Sequence, residues 1–155
     1  MDNRKTLHDY SIIMICLGVL NAFTFISSLI TQIIDGTYKE MLNTVDANIM
    51  IAVKVVLVIL GVIVLLLVLS DLFIGIKGLK VSREPNADNG YILAAKIFFA
   101  LNILAVISSA FSLFDNNTGL VQNILTLVCT VADVFIYYIF IKAATAVRKD
   151  VLNKA

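Results

Sequence analysis

The sequence predicts an all-α fold, a polytopic membrane protein built as an antiparallel bundle of four transmembrane helices. Three observations predict it. Four apolar runs, residues 10–34, 49–76, 91–114 and 120–141, are long enough to cross a bilayer, for which about 20 residues suffice. The composition suits lipid better than water: 60% of residues are hydrophobic, 15% are charged, one is proline, and the mean hydropathy is +0.96. The cations are also segregated along the chain. Ten of the twelve fall in the N-terminal segment (Arg4, Lys5), around the central loop (Lys77, Lys80, Arg83, Lys96) and near the C-terminus (Lys142, Arg148, Lys149, Lys154). Only Lys39 and Lys54 fall near the other two loops. Basic loops stay inside, so both termini and the 77–90 loop are expected in the cytoplasm, and the first and third loops outside. A plasma or inner membrane is the expected location. The 155 residues read as one transmembrane domain, 1–155.

Residues 1–9 read as a polar tail that holds His8, with Asp9 or Ser11 capping the first helix and Tyr10 at the inner interface. The first run is too long for the apolar core of a secretory signal, and no small-residue cleavage site follows it. Asp35-Gly36 signals its end. The outer loop 37–48 carries Asp46 and Asn48, either able to cap the second helix. That helix has no polar side chain over 55–69 and is expected to finish around Ser70-Asp71 and the glycines Gly75 and Gly78. A turn-rich inner loop, 82–90, follows. The tight turn 115–119 makes the third and fourth helices antiparallel neighbours. Asn116-Asn117-Thr118 within it matches a glycosylation sequon. Past residue 141, alanines favour a cytoplasmic helical tail over 142–155, whose cations suit anionic lipid.

A shift of 81 residues aligns Tyr10, Leu20, Asn21, Ile26, Ser27 and Ser28 with Tyr91, Leu101, Asn102, Ile107, Ser108 and Ser109. Two related helical hairpins would explain this. A duplicated structural hairpin and the parallel repeat of a transporter both stay open.

Polar and small residues recur at steps of three and four: Asn21, Thr24, Ser28, Thr31 and Asp35; Asn102, Ala105, Ser109, Ser112 and Asn116; Asn123, Thr126, Thr130, Asp133 and Tyr137. Each set draws one stripe on its helix. Close packing through small and hydroxyl residues and a solvated path both fit. Asp133 lies near the middle of the last run, where an ionised carboxylate is costly. Asn21 and Asn102 are expected at a similar depth, and Thr130 sits a turn away. These four residues form the candidate midplane site, either a neutral hydrogen-bonded cluster that fixes register or a proton or cation site. Asp71 and Lys96 are a candidate ion pair in the inner leaflet. Cys16 and Cys129 are expected as buried thiols without redox chemistry.

No catalytic pattern is visible. A single His leaves no triad or metal centre to build, and there is no phosphate loop or TVGYG filter. No catalytic residue, metal or cofactor is expected, and no nucleic-acid partner. The lipid bilayer, a second copy or a larger membrane protein is the expected partner. The first functional reading is non-enzymatic association within the bilayer. The alternatives are a small oligomeric transporter or channel using Asp133, Asn21 and Asn102, and a holin-like membrane-active protein.

Overall fold

A computed structural model describes residues 2–34, 47–113 and 120–153, all of the regular structure in which is helical. There are four helices among them: α1 (Asn3–Ile34), α2 (Ala47–Arg83), α3 (Gly90–Ser112) and α4 (Leu120–Leu152). Stretches of α1, α3 and α4 (Asn3–Ser27, Gly90–Phe111 and Asn123–Leu152) are long and apolar enough to cross a membrane. The remaining expected span, 49–76, lies inside α2, some of whose side chains fall outside the described residues. So do the 35–46 loop with Asp46, and the 114–119 turn with its sequon.

Two helices are longer than the sequence reading expects. α1 starts at Asn3, so His8, Asp9 and Ser11 are helical and cap nothing. Asp2 does the capping: its Oδ1 accepts from the Arg4 backbone N–H at 3.0 Å, and its carbonyl accepts from the Thr6 N–H at 3.0 Å. An Asp at this position satisfies one of the free N–H groups of a first turn. α2 begins at Ala47, which puts Asn48 inside it. It then runs unbroken through Ser70, Asp71, Gly75 and Gly78 to Arg83. The connection to α3, expected over 77–90, therefore shrinks to 84–89. Gly78 is a contact residue, not a terminator. A Cβ there would lie 2.5 Å from the Ser11 hydroxyl oxygen and 2.6 Å from Cε2 of Phe140, so only glycine lets the three helices come this close.

The chain divides into two compact units, Met1–Met14 with Phe73–Ala155, and Ile15–Leu72. The first unit contains one core fed by all four helices. Leu7 and Met14 come from α1, and Ile74 and Val81 from α2, each pair seven residues apart and so on one face. α3 adds Tyr91, and α4 adds Phe140 and Val147. α3 packs along α4. Tyr91 meets Phe140 edge-on at 6.1 Å, while Phe98 stacks on Tyr137 at 6.5 Å. Partner numbers fall on α4 as they rise on α3, which makes the two antiparallel. The helical tail past residue 141 is the continuation of α4, and its Ala143, Ala144 and Val147 belong to this core.

The 84–89 connection is held in place from both sides. Asn86 Oδ1 accepts from the Asp88 N–H, and Asp88 Oδ1 accepts from the Gly90 N–H at 2.9 Å. Lys77 of α2 reaches Asp88 at 3.8 Å, and Arg148 of α4 donates through Nε to the Ala87 carbonyl.

In the second unit, α1 and α2 approach at Gly18, where a Cβ would lie 2.9 Å from the Leu72 side chain and 3.1 Å from its backbone nitrogen.

Candidate polar site on the apolar helices

Polar side chains within apolar helices must find partners inside the protein, because lipid offers none. Most of the hydroxyls here find them on their own helix. Ser11 donates to the Leu7 carbonyl at 2.6 Å, Thr24 to Leu20 at 2.9 Å, Thr31 to Ser27 at 3.0 Å and Ser70 to Leu66 at 2.7 Å. This bonding one turn back is available to Ser and Thr within any helix. It lets them sit on an apolar helix without water beside them.

The four residues of the expected midplane site are distributed as follows. Asn102, half-buried on α3, donates its amide N–H to the Phe98 carbonyl at 3.0 Å. Thr130 on α4 donates to the Thr126 and Leu127 carbonyls at 3.1 and 3.0 Å. Asp133 is half-buried on α4, one turn from both Thr130 and the buried Tyr137. These three belong to the first unit. Asn21 belongs to the second, and there its Nδ2 donates to Asp71 Oδ2 at 3.3 Å. Asn21 and Asn102 are matched by the 81-residue repeat, yet one bonds across to another helix and the other closes on its own.

Of the expected inner-leaflet pair, Asp71 is half-buried in the second unit and Lys96 is exposed on α3 in the first. The sequence reading missed the Asn21–Asp71 bond. Gly18, one turn before Asn21, was the available signal, since a glycine there marks where α1 lets another backbone approach.

Asn21 is exposed, as are its chain neighbour Leu20, at 61%, and Thr24 one turn on. The two cysteines also depart from expectation. Cys16 and Cys129 are free and exposed.

The tyrosine that opens α3 was read only as the start of a span. In the structure it is a core residue, 1% exposed, and its hydroxyl has no hydrogen-bond partner among the described residues. No three His, Cys, Asp or Glu side chains gather in a metal-holding group among the described residues. Comparison of the chain with protein-family models, curated proteins and solved structures returns no match.

Proposed function

We propose that this chain is a four-span integral membrane protein, with both termini and the 84–89 connection in the cytoplasm, and that it works without catalysis by associating within the bilayer. Its partner is a second copy or a larger membrane complex. The observation that carries this reading is the Asn21–Asp71 bond, made by an exposed carboxamide and a half-buried carboxylate on two apolar helices. A carboxamide offers two N–H donors and a carbonyl, more than one bond to Asp71 uses. In hydrocarbon such groups favour helix association, at about 1–2 kcal/mol for each interhelical hydrogen bond in model peptides. Two further features support the reading. In α1, α3 and α4 no more than 17% of the most apolar window is buried by the chain itself, and the back-bonded hydroxyls require no water-filled path. The segregated cations support the orientation.

Disulfide trapping in native membranes tests the site. In a chain whose own Cys16 and Cys129 are replaced by Ser, Leu20→Cys and Thr24→Cys are expected to give cross-linked products on mild oxidation. A cysteine on the far side of α1, at Ile26, serves as the control. Equal yields at all three positions, or none at any, contradict association through the Asn21 face.

A further inference from the structure

We propose that the end of α2 holds one anionic phospholipid. Its phosphate would sit between Lys80 and Arg83, and an acyl chain would lie over Ile76 and Leu79. This rests on the membrane placement proposed above, and not on association.

The C-terminal turns of α2 border an open groove of about 310 Å³ lined by Ile76, Leu79, Lys80, Arg83 and Glu84. Residues 76, 79, 80 and 83 follow the spacing i, i+3, i+4, i+7, which is a single helix face. Along that face the chemistry changes in one direction: two aliphatic side chains first, then two cations. The four residues cover about 10 Å of helix axis at 1.5 Å per residue. A phospholipid in the inner leaflet presents the same order, acyl chain and then phosphate, in the same direction.

The cations at this end of the protein divide into two groups. Lys77 is engaged with Asp88 and sits 5.9 Å over the Phe73 ring, and Arg148 is engaged with the Ala87 carbonyl. Lys80 and Arg83 are exposed and form no ion pair among the described residues. Glu84 and the terminal carbonyls of α2 oppose an anion. The groove side chains therefore sum to a single positive charge, which matches one phosphodiester and not a multiply charged headgroup. A diacyl lipid with a neutral headgroup substituent, such as phosphatidylglycerol, is the class that fits. A zwitterionic choline headgroup would bring its ammonium up to Lys80 and Arg83, with Glu84 alone among the lining side chains to offset the repulsion.

The test uses the full chain in phosphatidylcholine vesicles containing spin-labelled phosphatidylglycerol or spin-labelled phosphatidylcholine. The motionally restricted fraction gives the relative affinity. One effective charge near an anionic headgroup contributes about 1 kcal/mol, so a preference of about fivefold for phosphatidylglycerol is expected. Lys80→Gln with Arg83→Gln should bring the ratio close to one, while Lys142→Gln with Lys149→Gln should leave most of it. Glu84→Gln should raise the ratio, and provides a reading even if the double variant does not fold. Excess inorganic phosphate should leave the preference in place. A ratio near one in the wild type, an equal loss in both double variants, or displacement by free phosphate overturns the lipid site. A protein that restricts neither label is not in the bilayer, and that result overturns the membrane placement as well.

Discussion

Tyr91 and Gly78 show how single atoms set the tightness of the first unit. The Tyr91 ring fills the core against Phe140, but its hydroxyl is buried without a hydrogen bond among the described residues. An unsatisfied buried donor costs about 1–3 kcal/mol. Tyr91→Phe keeps the ring and removes the hydroxyl, so it is expected to stabilise the protein by up to that amount in detergent-unfolding titrations. A clear loss of stability would mean that the hydroxyl is engaged. Gly78→Ala should act in the opposite direction. The helix gains roughly 1 kcal/mol of intrinsic preference, but the new methyl meets Ser11 and the fully buried Phe140. Overpacking of this kind costs about 1–3 kcal/mol, and a net loss is the expected reading of the same titration. Neither residue's role was legible in the sequence. Tyr91 looked only like the start of a span and Gly78 like a helix end, because both assignments come from local rules and the deciding contacts lie on other helices. The polar stripes were legible, since their spacing is a property of each helix alone. Which stripe residue meets which is a property of pairs, and Asn21 with Asp71 came from the structure.

At the level of elements, the chain carries its helices plainly and its helix ends less so. Four apolar runs gave four helices, and the alanine-rich continuation of α4 appeared where propensity placed it. The ends moved where more polar turns extend an apolar run, as at residues 3–9 and 77–83. There hydropathy stops before the helix does, because a helix needs only one covered face to continue. Leu7 and Val81 supply that face in these two extensions, and both are buried in the common core. The Asp2 cap is the element-scale feature easiest to test. Asp2→Ala should cost the first turn of α1 about 0.5–2 kcal/mol, seen as faster amide hydrogen exchange at residues 3–6 with exchange beyond Leu7 unchanged. Unaltered exchange in that turn would show that the Leu7 packing, and not the cap, holds it.

For the whole molecule, association and transport lead to different behaviour of the same acid. Thr24, Thr31, Ser70 and Thr130 close on their own helix backbones, and no proton or cation flux is accordingly expected in proteoliposomes, from the wild type or from Asp133→Asn. Wild-type flux that disappears in Asp133→Asn would make that carboxylate a transport site. The most direct measurement of the central claim is the association equilibrium in lipid, by photobleaching of labelled chains over a range of protein-to-lipid ratios. For wild type and Asn21→Leu of equal helix content, oligomers that dissociate on dilution are expected, with the variant weaker by about five- to thirtyfold, the equivalent of about 1–2 kcal/mol. Equal affinities of the two proteins, or a wild type monomeric at every ratio in membranes that hold no other protein of its host and also in those that do, would contradict the claim.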